Sequence, residues 1–259
     1  MSTNTNPRLF SFQGRVLLGT RQANGGPASL QWVGDVTPCQ IKLSTSTDDA
    51  FDSYTGLRQQ IGRMIKQTKC DLSMTFKQWS PGALAVGMYA TPLVVAGGTV
   101  TGEVLPQVVA GDNIKLAQNG ISALAITDSS ATPQTVPPAN YQIPQSPVAA
   151  NNNGIVIMNN VGTFTQPFKA AYTYAGATNV AMFTQPAPER YFVLDGVDTE
   201  TGDAVLIRLY RLRIDPISQL DVINDGYGSL PCSGSVLYDP LNAADPTLGG
   251  FGRIERVST

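Results

Sequence analysis

The sequence predicts a mainly β protein, a β-barrel or sandwich with one flanking α-helix and long loop excursions. Twenty-five glycines and eighteen prolines are spread along its 259 residues and separate short apolar runs, which is typical of strands joined by turns. Several of these runs alternate apolar and polar side chains with the period of two that strands require. Only one segment has the features of a substantial helix.

The clearest strand is Lys69–Lys77, in which every second side chain is apolar. One face of this strand is therefore expected to meet a core and the other to meet something polar. A change of phase within Ala204–Ile214 predicts a β-bulge near Tyr210. Two further strands are predicted from the alternation over Gln40–Ser44 and from the shared phase of Leu230, Cys232, Val236 and Tyr238.

The helix is predicted over Ser80–Ala90. Ser80 is a suitable N-cap, Pro81 follows it at the first helical position, and Leu84 and Met88 form a short apolar stripe. The second part of this helix lies in the uncharged stretch Ala83–Val100. The proline and glycines of that stretch favour a helix followed by a strand over a membrane span.

The stretch 97–160 is rich in Ala, Thr, Pro, Asn and Gln and carries few charges. Short strands are expected in it at Val104–Val109, Ile121–Thr127 and Gly154–Met158. No linker separates it from its surroundings. The chain, 1–259, is therefore predicted to form a single β domain, with 97–160 as an elaboration of that domain or a weakly separate lobe.

Composition excludes several classes of function. The chain has no histidine, which removes Ser-His-Asp triads, His-based zinc sites and His-ligated haem. Its net charge of -2 argues against a protein that grips nucleic acid through many cationic contacts. Charged residues make up 14% of the chain, against roughly 25% in an ordinary soluble domain, and this shortage requires an explanation.

The cysteines and the N-terminus indicate a protein made in a cytosol. Cys39, Cys70 and Cys232 are odd in number and widely spaced, so we interpret them as buried thiols and not as a disulfide framework or zinc site. Residues 1–7 are polar and lack an apolar segment, which predicts that no signal peptide is present.

Three charged clusters have both a chemical and a structural interpretation. The acidic group around Asp198 offers oxygen ligands for calcium, but its spacing is not that of an EF-hand, and a polar hairpin turn with Gly202 at positive φ is favoured. A second acidic group, around Asp49, resembles the carboxylate pair of a glycosidase, but a solvated loop is the favoured interpretation. A basic strand suggests phosphate binding, although ion pairs are the stronger interpretation. The three clusters are Asp195, Asp198, Glu200 and Asp203; Asp48, Asp49 and Asp52; and Arg208, Arg211 and Arg213.

The segment Ser44–Gln67 is the most informative one. A polar run opens it, and large apolar residues then recur three or four positions apart. An amphipathic helix on the protein's own core is one interpretation. Gly56 and Gly62 oppose it, because each costs about 1 kcal/mol in a helix interior. The other interpretation is a long loop excursion between paired strands, and such loops are usually functional. The spaced apolar residues are Phe51, Tyr54, Leu57, Ile61 and Met64.

The order of these features resembles the major tail tube proteins of long-tailed, siphovirus-like bacteriophages. The resemblance covers most of the chain and rests on order, spacing and composition together; the stretch 97–160 matches least. It is carried by Phe12-x-Gly14-x-Val16, Trp32–Val36 leading into Ile41-x-Leu43, the loop with Tyr54-Thr55-Gly56, the strand Lys69–Lys77, the helix Ser80–Ala90, the block Tyr191–Tyr210 and the end Leu230–Asp239.

The resemblance implies a structural virion protein without catalysis or cofactor. Its subunits would form hexameric rings that stack into a tube for DNA ejection. Its partners would be other copies of itself, the tape measure, terminator and distal tail proteins, and passing genomic DNA, but no membrane. It would assemble in the host bacterial cytoplasm and reside in the virion tail. Few charges are expected in such a subunit, since charge is depleted from interface cores.

The same resemblance implies roles for two groups of residues. The loop would stack one ring on the next through Asp48, Phe51, Tyr54, Leu57, Ile61 and Met64. A channel for DNA should avoid many close cationic contacts, so its wall is expected to be neutral or acidic. The expected lumen residues are Lys42, Lys69, Asp71, Ser73 and Thr75.

Three other classes of protein remain as alternatives. A tail terminator or a capsid decoration protein shares the cytosolic origin and the low charge. A carbohydrate-binding β-sandwich module explains the strands, but it usually carries an exposed aromatic platform, and Trp32 and Trp79 are the only tryptophans. An enzyme is the remotest alternative, because a cysteine nucleophile without histidine would need an unusual base.

Overall fold

The computed structural model describes residues 9–78, 80–144 and 153–257. The described chain is mainly β, with antiparallel sheets, two short α-helices and a β-sandwich-like fold, and its strands form no closed barrel. The predicted fold class is confirmed in this form. Residues 1–7 and Trp79 lie outside the described residues. The signal-peptide expectation concerned residues 1–7, and Trp79 was one of the two tryptophans considered for an aromatic platform.

The chain divides into two compact units. The first contains residues 1–92 and 180–259, and the second contains 93–179. The second unit thus includes all of the 97–160 stretch and extends beyond it. The strands are β1 Phe12–Arg21, β2 Pro27–Trp32, β3 Val36–Phe51, β4 Gln60–Phe76, β5 Pro92–Val95, β6 Gly98–Val104, β7 Asn113–Lys115, β8 Ile121–Thr127, β9 Tyr141–Gln142, β10 Ile155–Met158, β11 Lys169–Tyr174, β12 Ala177–Val180, β13 Glu189–Asp198, β14 Ala204–Ile214, β15 Leu230–Val236 and β16 Gly252–Val257.

One antiparallel sheet organises the first unit. Its order is β2-β1-β13-β14-β15-β4-β3, and β16 pairs with the first half of β14 while β15 pairs with its last three residues. The change of partner from β16 to β15 occurs at a bulge in β14. The bulge is seen in the register, since Phe192 pairs with Leu209 whereas Arg190 pairs with Leu212. The predicted bulge near Tyr210 is confirmed, and it lets β14 bury both phases of its apolar pattern.

The core of the first unit lies on one face of this sheet. Cys70, Leu72, Met74 and Phe76 are all nearly fully buried, as the alternation of β4 predicted. They pack with side chains from β1, β13, β14 and β15 and with Leu84 of the helix. Burying a side chain of this size contributes about 1.5–3 kcal/mol.

Three details of the predicted strands are wrong. Leu43 lies on the same face as Cys70, its partner in register, yet it is 76% exposed because the core ends before it. Tyr238 is exposed and lies beyond the end of β15. The strand expected at Val104–Val109 instead ends at Val104, as β6.

The first helix, α1, spans Pro81–Gly87. The hydroxyl of Ser80 accepts a hydrogen bond from the amide of Ala83 at 3.1 Å, which is the predicted cap. The helix ends earlier than Ala90 because Tyr89 takes a left-handed backbone conformation with φ of 52°. A second helix, α2 at Pro240–Ala243, was not predicted. Within the described residues, no helix is long and apolar enough to cross a membrane.

The second unit has its own core. Two three-stranded sheets, β6-β11-β8 and β7-β10-β9, enclose it, and β5 pairs with β12. The carboxylate of Asp128 holds a turn beside this core by accepting from the amides of Gln134 at 2.7 Å and Thr165 at 3.3 Å. The fully buried side chains of this core include Leu116, Ile126, Val136, Val156, Met158, Phe168 and Ala170.

Candidate functional site

The segment Ser44–Gln67 forms an arm, a β-hairpin that continues β3 and β4 past the edge of the sheet. Strand β15 pairs with β4 between Cys70 and Phe76. Among the described residues, the two strands of the arm therefore pair only with each other. Ion pairs join them, from Arg63 to Asp49 at 3.0 Å and from Lys66 to Asp48 at 2.9 Å. The helical interpretation of this segment is wrong, and the expected loop is confined to the tip.

The tip of the arm, residues 52–59, is organised by Asp52. Its side chain accepts from the amide of Gln59 at 3.2 Å and from the hydroxyl of Thr55, while its own amide donates to the Gln59 carbonyl at 2.8 Å. Asp52 is only 5% exposed. Of the three aspartates read as a solvated carboxylate group, one is therefore a buried turn residue and the other two are ion-paired.

The large apolar side chains of the arm are exposed. None of them joins a core cluster, and their exposed fractions range from 57% for Phe51 to 84% for Tyr54. Large apolar side chains that are exposed and do not pack internally mark an interaction site. Ile65 belongs to it as well, a residue that sequence reasoning missed. The exposed set is Phe51, Tyr54, Leu57, Ile61, Met64 and Ile65.

The expected lumen residues share one face of the sheet, opposite the core. In register, Lys42 pairs with Asp71, Asp71 with Ser235, and Ser44 with Lys69. The hydroxyl of Ser235 donates to the carboxylate of Asp71 at 2.7 Å. The structure thus brings Lys42, Lys69, Asp71, Ser73 and Thr75 onto one polar surface, which we call the polar face.

The polar face continues across two more strands. Arg213 pairs in register with Ser235 on one side and with Glu189 on the other. These register pairs form a row across five strands, in the order Lys42, Asp71, Ser235, Arg213 and Glu189. The charged residues of the row alternate in sign. Lys42 and Arg213 each pair in register with a carboxylate, whereas Lys69 pairs with the uncharged Ser44.

The acidic cluster around Asp198 is a hairpin turn, as favoured from the sequence. It joins β13 to β14, and Gly202 has a φ of 77°. Arg256 contacts the carboxylates of Asp203 at 2.6 Å and Asp198 at 3.4 Å, while Asp195 pairs with Arg15 at 2.8 Å. No cluster of three or more potential ligands for a metal occurs among the described residues.

Two arginines of the basic strand, Arg208 and Arg211, form ion pairs within the chain. Arg208 contacts Glu255 at 3.1 Å, and Arg211 binds both carboxylate oxygens of Glu189 at 3.0 and 3.2 Å. The hydrogen bonds that Arg211 donates to this carboxylate raise the pKa of Arg211 above its ordinary value. This arrangement agrees with the ion-pair interpretation over the phosphate one.

The cysteines are free thiols in the sheet. Cys70 and Cys232 are buried and Cys39 is half-buried. Burial raises the pKa of Cys39 to about 11 and that of Cys232 to about 12, so both remain protonated at neutral pH. A thiol in this state is a poor nucleophile.

The loop of residues 216–229 is a second exposed apolar surface, and sequence reasoning missed it. It connects β14 to β15 without regular structure, and Val222, Ile223 and Tyr227 are 83%, 90% and 105% exposed. Beside it lies a cavity of about 390 Å³ that Phe76 and Leu230 line. The only sequence signal was a run of apolar residues among Asp, Asn and Gly, which looks like an ordinary turn.

Comparison with known proteins gives a family but no activity. Residues 9–255 match the model of a family described as Protein of unknown function UCP028589, and the chain belongs to this family. No curated protein matches the chain.

Proposed function

We propose that the chain is a structural virion protein, the subunit of a phage tail tube whose stacked hexameric rings form the conduit for DNA ejection. The observation that carries the proposal is the arm, a hairpin held by ion pairs and by the Asp52 turn that nevertheless leaves six large apolar side chains in water. In a subunit that remained a monomer, these exposed side chains would not contribute to stability.

In the proposed assembly the arm stacks one ring on the next. Each Phe, Leu or Met that becomes buried contributes about 1.5–3 kcal/mol. The hydrogen-bonded register of β3 with β4 already fixes the backbone of most of the arm, which lowers the ordering cost of docking. The arm therefore combines a large apolar gain with a small conformational loss.

The polar face takes the role of the lumen wall. Retention of DNA requires several simultaneous pairings of cations with phosphates, and roughly six to ten of them give strong, salt-dependent binding. Lys42 lies opposite Asp71 in register, and Glu189 lies opposite Arg213 while its carboxylate binds Arg211, so two carboxylates stand among the cations of this face and reduce the number of such pairings. DNA could then slide along this face without being held.

The remaining parts of the proposal follow from assembly. The subunit performs no catalysis and needs no cofactor. It assembles with copies of itself in the host bacterial cytoplasm and, in the virion tail, contacts the tape measure, terminator and distal tail proteins. A tail terminator or capsid decoration protein would also expose an assembly arm, so these are rival outcomes of the experiment below.

Negative-stain microscopy of the purified protein tests the proposal. We expect long uniform tubes from the native sequence. A variant with residues 47–65 replaced by a short Gly/Ser linker should stay folded and soluble but form no tubes. Val109→Ser, which removes an exposed apolar side chain from the second unit, is the control and should still form tubes.

Two results would contradict the proposal. Closed single rings without tubes would indicate a terminator, and monomers at all concentrations would indicate a binding module. If the linker variant unfolds, the arm is part of the subunit's own core and cannot be a stacking element.

A further inference from the structure

The 216–229 loop and the arm lie at opposite ends of the same sheet. Strand β4 begins at Gln60, next to the tip of the arm, and ends at Phe76. Leu230, the first residue after the loop, pairs in register with Phe76. The strand has 17 residues, so the two surfaces are separated by about 50 Å at the usual rise of a strand.

The two surfaces also have complementary chemistry. At the tip, Arg58 is exposed and forms no ion pair with a described residue, and Tyr54 and Leu57 flank it. The loop carries Asp221 and Asp225, both exposed, among its apolar residues. From Asp215 to Gly252 the chain contains no Lys or Arg at all.

The cavity next to the loop can accept an apolar side chain. Its volume is about 390 Å³, and Phe76, Leu220, Val222, Tyr227 and Leu230 contribute to its wall together with Lys77. Tyr54 and Leu57 are the two most exposed large apolar residues of the arm. Aromatic and large aliphatic anchors that enter apolar pockets supply most of the energy at protein interfaces.

We infer that the tip of the arm in one copy binds the 216–229 loop and its cavity in a second copy, with Arg58 next to Asp221 and Asp225. This inference rests on the proposed function, because it names the surface on which the arm docks. Since the two surfaces differ and lie at opposite ends of β4, the contact is head-to-tail and leaves one free arm and one free loop after each addition. Such a contact propagates into a filament or a stacked tube.

A charge exchange tests the pairing. Arg58→Glu and Asp225→Arg should each weaken assembly at least about tenfold, measured as the critical concentration by light scattering, because each places like charges together. The double variant Arg58→Glu with Asp225→Arg should recover most of this loss. Glu200→Arg, which reverses an exposed charge in the turn between β13 and β14, is the control for Asp225→Arg. No recovery in the double variant overturns the pairing.

A mixing experiment tests the head-to-tail geometry. A copy with Tyr54→Ser and Leu57→Ser lacks a working arm, and a copy with Val222→Ser and Ile223→Ser lacks a working loop. Neither copy should form tubes alone, and each should keep an unchanged melting temperature. Mixed in equal amounts, they should form a complex that stops growing after one contact, visible by sedimentation velocity. Full tubes from the loop variant alone would overturn the inference.

The failures of the two proposals are distinguishable. If the native protein forms tubes and the loop variants do so too, the tail-tube function stands and the docking surface is wrong. If charge exchange and mixing behave as expected but micrographs show solid filaments without a lumen, the docking surface is right and the tail-tube function is wrong.

Discussion

Strand β4 has two halves that share a partner strand but differ in burial. From Cys70 to Phe76 it lies between β3 and β15, and every second side chain enters the core. From Gln60 to Lys69 it pairs, among the described residues, with β3 alone, and its apolar side chains stay in water. Both halves contain large apolar residues. The difference between them therefore indicates that burial of these side chains depends on a third strand and on the layer beneath it.

The change between the halves is visible in the register. Ser46 pairs with Gln67, but Thr47 pairs with Ile65, so an extra residue enters β4 at this point. A bulge bends and twists its strand and often marks a place where pairing changes. The arm is therefore a separate element built from the same two strands, and its stability should be nearly independent of the core.

The largest expected difference is between two leucines. Leu72→Ala in the inner half should lower the free energy of unfolding by about 3–5 kcal/mol, because it opens a cavity in the core. Leu57→Ala on the arm should change it by less than about 0.5 kcal/mol. Urea unfolding at concentrations below assembly measures both. A loss above about 2 kcal/mol for Leu57→Ala would mean that the arm packs on its own subunit.

The next effect concerns two ion pairs outside the arm, one buried and one exposed. Asp239 is fully buried, and Arg21 binds both of its oxygens, at 2.8 and 3.0 Å. Arg21→Met should lower the free energy of unfolding by about 2–3 kcal/mol, because it leaves a buried carboxylate without its guanidinium. Arg15→Met, which breaks the exposed pair with Asp195, is the matched control and should cost under about 1 kcal/mol.

The pair with Arg21 also predicts a dependence on pH. Burial alone would raise the pKa of Asp239, but hydrogen bonds from Arg21, Asn242 and the amide of Leu241 outweigh it and hold the pKa below its ordinary value of 3.8. The pair's stabilisation is thus present at neutral pH and is lost as the pH falls below about 4. Asp239→Asn should flatten the loss of stability in that range. An unchanged acid profile would contradict this.

Sequence reasoning succeeded wherever a strand buries one face. The alternation of Lys69–Lys77 predicted the buried side chains of β4, and the phase change in β14 predicted its bulge. The Ser80 cap and Pro81 predicted where α1 begins, although the positive φ of Tyr89, which ends the helix early, has no signal in a tyrosine. Local chemistry thus decided these elements.

Sequence reasoning failed where both faces of a strand are exposed. Ser44–Gln67 has no period of two, since polar and apolar residues can occupy either face in water, and so the hairpin looked like a loop or a helix. The 216–229 loop was missed for a different reason. Its position beside Phe76 depends on the pairing of β15 with β4, which is a long-range contact that no local pattern reveals.

A smaller effect is expected at the tip of the arm. Asp52→Ala removes the acceptor for the Gln59 amide and the Thr55 hydroxyl, which should cost about 1 kcal/mol locally. Global unfolding should change little, because the arm is separate from the core. Hydrogen exchange of the Gln59 amide should accelerate several-fold while that of Leu72 stays unchanged. Equal acceleration at both amides would mean that arm and core open together, and it would break the comparison.

The smallest effect is expected at the ion pair between Arg63 and Asp49. Their side chains are 64% and 32% exposed, so water and salt screen the 3.0 Å contact. A double-mutant cycle with Arg63→Ala and Asp49→Ala should give a coupling energy under about 0.5 kcal/mol, which grows when salt is lowered from about 0.15 M to 0.01 M. A coupling above about 1.5 kcal/mol that ignores salt would show the pair to be desolvated. The arm would then be packed against its own subunit even in the free protein, and the distinction between the two halves of β4 would fail.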